Sequence, residues 1–148
     1  MILFFEELMN FTGRWHPILV HLPIGMLIIA FVMALFSRRE HYKNIGPAIS
    51  LSLLLGSIAA VLACFTGYLL SLQGGYEQET LNFHQWLGLA VAVISLFLYF
   101  IYKEGVRYSF IVKLRSYRLL LLFVMFILIG FTGHFGGTLT HGKGYFKD

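Results

Sequence analysis

Five of the six histidines in this 148-residue chain stand at the edges of apolar stretches. His16 and His21 open the stretch HPILVHLPIG, and His84 opens HQWLGLAVAV. His134 and His141 fall in GHFGGTLTH, where the last apolar stretch ends. His41 sits in the polar link SRREHYKN and reads as a solvated loop residue. A neutral imidazole can ligate haem iron, or copper, zinc or non-haem iron, and its potential is tuned by burial and outer-shell bonds. Glycine accompanies these histidines. Gly25 follows His21 by four residues, Gly88 follows His84 by four, and Gly130 and Gly137 precede His134 and His141 by four. On a helix that spacing stacks the glycine beside the histidine, one turn away on the same face. The flat vacancy so made suits a planar macrocycle, whereas a bare metal ion does not need it. The bland readings are interfacial histidines and glycines that let helices pack closely.

Such residues need elements to hold them in register. The chain is 58% hydrophobic and 12% charged, against roughly 45–50% and about 25% in soluble domains. That excludes a soluble globule and a disordered chain. About 20 apolar residues cross a bilayer as a helix, and four stretches qualify, at about 17–36, 45–72, 84–102 and 117–137. Isolated strands cannot satisfy their backbone in lipid. The fold expected is therefore all-α: a single domain over 1–148 built as a membrane four-helix up-down bundle. Eight of the eleven basic residues lie in the links after spans one and three, while the link QGGYEQETLN has none. Short basic links stay in the cytoplasm, so both termini are expected on the outer, periplasmic side of a bacterial inner membrane. All five edge histidines then share one layer. Residues 1–15 lack the basic start and cleavage site of a signal peptide and read as a helix in the outer interface. The segment 106–118 reads as lying along the inner interface. In span two, Gly56, Ala60, Cys64 and Gly67 form a small-residue stripe, read as a packing seam rather than a cofactor wall. Gly136 and Gly137 are expected to break or bend the last helix, leaving Thr138, Thr140 and His141 as a polar turn over the cluster, with Arg14 facing it from the other side.

The single cysteine excludes a disulfide framework and the absence of CxxCH excludes covalently attached haem. No Ser–His–Asp spacing or acidic pair supports a hydrolase, and no span holds an acidic residue that would serve transport of a charged solute. The basic excess is a topology signal, so nucleic acid is not an expected partner. The leading expectation is an electron-transfer module, rather than an enzyme with its own substrate, that binds b-type haem. Its two axial ligands come from His21, His84 and His134, as His21 with His84 or His21 with His134. His16 and His141 form a second tier, and Gly25, Gly88, Gly130, Gly137, Thr140 and Arg14 complete the cofactor-binding set. One haem is expected, and five histidines allow a second. An alternative is a porphyrin-free copper, zinc or iron site on His21, His84 and His134. Another is a structural anchor for a redox complex, its histidines serving only hydrogen bonds. Lipid is the surrounding partner, and quinol is a further candidate for exchange at the haem edge.

The segments HPILVHLPIG, LSLQGGYEQETLNFHQWLG and GHFGGTLTHGKGY resemble an uncharacterised bacterial four-helix membrane domain. That domain is found alone or at the front of planctomycete-type cytochrome c proteins. The resemblance runs from Trp15 to Tyr145 and implies a redox setting with a periplasmic c-type cytochrome domain or redox-complex subunits as partner. The longer members continue past the last motif, so this chain, ending at Asp148, is expected to be a stand-alone form or a fragment. The resemblance points to His16, His21, His84, His134 and His141 without saying what they bind.

Overall fold

The structure, a computed structural model, describes residues 2–103, 105–142 and 144. Every regular element among them is helical. The first apolar stretch, Glu6–Phe36, is divided into α1 (Ile2–Gly13), α2 (His16–Leu19) and α3 (His21–Phe36). Pro17 sits in the first turn of α2, where a missing N–H is tolerated. Pro23 cannot donate to the Leu19 carbonyl, and the helix is interrupted there, at Val20. The second stretch is α4 (Gly46–Ser71) and the third is α5 (Gln78–Tyr102). A short α6 (Ser109–Leu114) and a 3₁₀ turn (Arg115–Tyr117) lead into α7 (Arg118–His141). Four helices are thus long and apolar enough to cross a membrane.

Each long helix packs on the next in sequence, α3 on α4, α4 on α5 and α5 on α7, and α7 closes the ring against α3 along its loosest seam. The chain enters and leaves this up-down bundle at one end, the end that carries His16, His84 and His134. The opposite half holds the large aliphatic core: Leu27, Leu53, Leu98, Ile101, Leu122 and Met125 are all fully buried. In the histidine half α4 contributes small buried residues instead, Ala59, Ala60, Ala63 and Thr66. The outer faces stay apolar, with Leu51, Ile58, Phe65, Val93 and Leu120 more than half exposed. Such a surface is stable in lipid and not in water.

Two boundaries differ from those expected. Helix α5 begins six residues before His84, because the Glu77 carboxylate caps it, accepting from the Thr80 amide at 3.0 Å. His84 therefore lies two turns inside its helix. Helix α7 runs straight through Gly136 and Gly137 to His141, so no break or polar turn forms there. Thr138 Oγ1 donates to the His134 carbonyl (3.0 Å) and Thr140 Oγ1 to the Gly136 carbonyl (3.1 Å), back-bonds that keep both hydroxyls within the helix. Helix α7 ends only at Gly142, whose φ of +89° suits a residue without a Cβ. Lys143 and Tyr145, at the end of the last sequence motif, lie outside the described residues.

Candidate functional site

The structure brings together one histidine pair from distant parts of the sequence, His16 of α2 and His84 of α5. Their rings stand 6.2 Å apart between centroids with planes at 81°. His16 lies just ahead of α3, and α3 and α5 occupy opposite positions in the ring of four, so the pair is drawn from opposite sides of the bundle. Both side chains are half-buried. His16 Nδ1 donates to the Ala63 carbonyl at 2.9 Å, and His84 Nδ1 donates to the Thr132 carbonyl at 3.0 Å. A carbonyl only accepts, so each Nδ1 carries a proton, and the neutral ring then presents Nε2 as its lone-pair nitrogen. Fixing the ring through its other nitrogen is how proteins orient a ligating imidazole and raise its basicity.

A glycine lies against each ring, and it comes from a different helix. A Cβ at Gly67 of α4 would fall 2.7 Å from His16 Cε1, and a Cβ at Gly136 of α7 would fall 3.0 Å from His84 Cε1. Each seating glycine follows its carbonyl donor residue by four positions, Ala63 to Gly67 and Thr132 to Gly136, so carbonyl and glycine share one helix face. The first and second halves of the bundle thus build the same arrangement twice: a histidine from one helix resting on a small-residue ledge of the next. Phe83 stacks on Phe135 beside the second ledge, with centroids 5.6 Å apart and planes at 16°. That contact ties α5 to α7 at the depth of His84.

The other expected residues stand elsewhere. His21, His134 and His141 are exposed on the bundle's outside, and His134 lies edge-on to Phe135 at 5.7 Å. Arg14 is exposed at the joint between α1 and α2. Thr140 is engaged with the α7 backbone. Among the described residues no three His, Cys, Asp or Glu side chains gather into a group that could hold a metal ion, so His21, His84 and His134 do not meet as a three-imidazole site. Gly25, Gly88 and Gly130 do not seat the histidines of their own helices. A Cβ at Gly25 or Gly130 would meet nothing within 4 Å, and one at Gly88 would reach only Cys64 Sγ at 3.8 Å. The small-residue stripe of α4 divides in function. Gly56 is a packing contact, its Cβ position 2.5 Å from Leu27 Cδ2, while Gly67 receives His16.

Sequence reasoning missed Gly67 and Gly136 as seats because it paired histidines with glycines along one helix. One partial signal was present: the tripeptide FTG occurs at 11–13, 65–67 and 131–133, and the last two copies lie near the far ends of spans two and four. Those two copies mark the ledges, although at 65–67 the glycine seats the ring and at 131–133 the threonine supplies the carbonyl.

The seam between α3 and α7 is unevenly filled. Toward the bundle's middle Phe31 stacks on Phe126 at 5.1 Å and lies 6.1 Å from Phe123. Gly130 and Gly133, four and seven residues beyond Phe126, continue that face of α7 toward the histidine end. A Cβ at either would meet nothing within 4 Å. That face of α7 thus carries aromatic rings in one half and two exposed glycines in the other.

No curated protein and no solved structure matches the chain. The family described as "Predicted membrane protein (DUF2231)" does match, over residues 14–145, a stretch that takes in both histidines, both ledges and all four long helices. The chain, a multi-pass helical membrane protein by its own architecture, belongs to that family.

Proposed function

We propose that this protein is a membrane electron-transfer module that would hold one b-type haem through His16 and His84. The observation that carries the reading is the pair itself: two imidazoles from opposite sides of the bundle, each with its Nδ1–H committed to a carbonyl. At 6.2 Å between ring centroids the two imidazoles are near enough that both would hold one iron. Two imidazoles drawn from different helices of a bundle are a donor pair that would suit haem iron. The exposed glycines Gly130 and Gly133 of α7 would leave room for a planar partner on that face.

The group, when bound, supplies a one-electron couple between ferric and ferrous iron. This chain's residues would do the rest. Ala63 and Thr132 hold the tautomers through their carbonyls. Gly67 and Gly136 give the rings room, and the apolar walls exclude water and lower the local dielectric, which shifts the potential. The two basic links at the other end favour an orientation in which the histidine end faces the periplasm of a bacterial inner membrane. A c-type cytochrome domain, redox-complex subunits or quinol at that face are the exchange partners this orientation favours.

The test is the reduced-minus-oxidised absorption spectrum of the detergent-purified protein, produced with ample haem supply, together with its haem content. A sharp low-spin spectrum at about one haem per chain is expected. A colourless protein under those conditions would overturn the proposal.

A further inference from the structure

The end of the bundle away from the histidines carries a second polar site. A cavity of about 420 Å³ opens there between the end of α3, the end of α5 and the start of α7, walled by Ser37, Arg38, Tyr102, Arg115, Ser116 and Arg118. A second, of about 540 Å³, shares Tyr102, Arg115 and Arg118 and adds Lys43 and Asn44. Among the described residues no carboxylate lines either one. Glu40, the described carboxylate in the neighbouring link, is bonded to Lys43. A preference for basic links explains why cations are present at this end. Three arginines, Arg38, Arg115 and Arg118, line the first cavity together, and like charges gathered on one surface favour a bound counter-anion.

The arginines are held in place. Arg115 Nε donates to the Ile101 carbonyl at 3.3 Å, and its Nη2 donates to the carbonyls of Lys103 (3.2 Å) and Val106 (3.1 Å). These bonds leave the donors of Nη1 for another acceptor. Arg118 stands over the Tyr102 ring at 5.5 Å. Hydroxyls and guanidinium forks suit the several oxygens of a phosphate group. Ala34 and Leu119 line the first cavity and Ile101 the second, which adds apolar wall next to the cations. We infer that this end of the bundle is a binding site for a phosphate group, carried by an anionic phospholipid of the surrounding leaflet or by a soluble phosphate. The cation-rich pocket at membrane depth is of the kind that holds anionic headgroups. This inference does not depend on what the histidines bind.

Native mass spectrometry and thermal unfolding of the delipidated, detergent-purified full chain test it. The additions are phosphatidylglycerol, zwitterionic phosphatidylcholine and inorganic phosphate, each used separately. The variants are the double change Arg38→Gln/Arg118→Gln and its charge-keeping counterpart Arg38→Lys/Arg118→Lys. Both arginines are exposed and lie outside the core, so both variants should fold. Phosphatidylglycerol should remain bound and raise the melting temperature where phosphatidylcholine does not. The glutamine variant should bind it about tenfold more weakly, and the lysine variant should keep the preference. Stabilisation by inorganic phosphate alone, lost in the glutamine variant, would identify a soluble source for the same site. Equal binding of the two lipids with no effect of phosphate would overturn the inference, as would a glutamine variant that retains phosphatidylglycerol like the parent.

Discussion

At the scale of single residues, the account rests on what a carbonyl does to an imidazole. Ala63 and Thr132 place the proton on Nδ1 of His16 and His84, and the proposed chemistry needs the lone pair on Nε2. Alanine at His16 or at His84 should therefore abolish low-spin haem, whereas alanine at His21, His134 or His141, all exposed, should leave the absorption spectrum in place. The ledges give an independent prediction. A methyl group at Gly67 would press into the His16 ring, so Gly67→Ala should lower bound haem while the helical circular dichroism stays unchanged. Gly25→Leu, at a position with open space around it, should bind haem as the parent does. A spectrum unaltered by Gly67→Ala would remove the ledge from the mechanism. That His16 and not His21 faces His84 was not legible in the sequence. The two are five residues apart, and the choice depends on the helix interruption at Val20 and on the register of α4 beneath His16. The spacing of residues along one helix reports on neither.

At the scale of elements, long apolar periodicity was readable and helix ends were less so. The second span, expected at 45–72, is α4 at Gly46–Ser71. Helix α5 starts earlier than hydropathy suggests because its first turn, QETL, is polar and is held by the Glu77 cap rather than by lipid. Helix α7 continues through two glycines because nothing competes for their backbone bonds in an apolar setting, where leaving them unmade is costly. Packing between elements gives a prediction separate from the haem. Gly56 touches Leu27 at the α3–α4 contact, and Gly56→Leu should overpack that contact and destabilise the bundle by about 1–3 kcal/mol. Thermal unfolding in detergent would read this as a lower midpoint, and a midpoint equal to the parent's would show that the contact yields.

At the scale of the whole molecule, the arrangement is polarised. Large aliphatics fill one half, and small residues with the histidine pair fill the other. The cations collect at the aliphatic end, and the chain enters and leaves at the histidine end. The class of fold followed from composition and span count. The ring order, with His16 and His84 drawn from its opposite sides, required the tertiary structure. If basic links stay in the cytoplasm, a reporter fused after Ser37 should be active only as a cytoplasmic fusion, and one fused after Asp148 only as a periplasmic fusion. The reverse pattern would place the histidine layer on the other face.

The central claim is that His16 and His84 together ligate one iron. Low-temperature electron paramagnetic resonance of the oxidised protein tests it most directly, read on the parent and on the His16→Ala and His84→Ala variants. The parent should give a low-spin ferric signal, as an iron held by two imidazoles would. Each variant should lose that signal to a high-spin form or to an iron-free protein. A low-spin signal that persists in both variants would contradict the account.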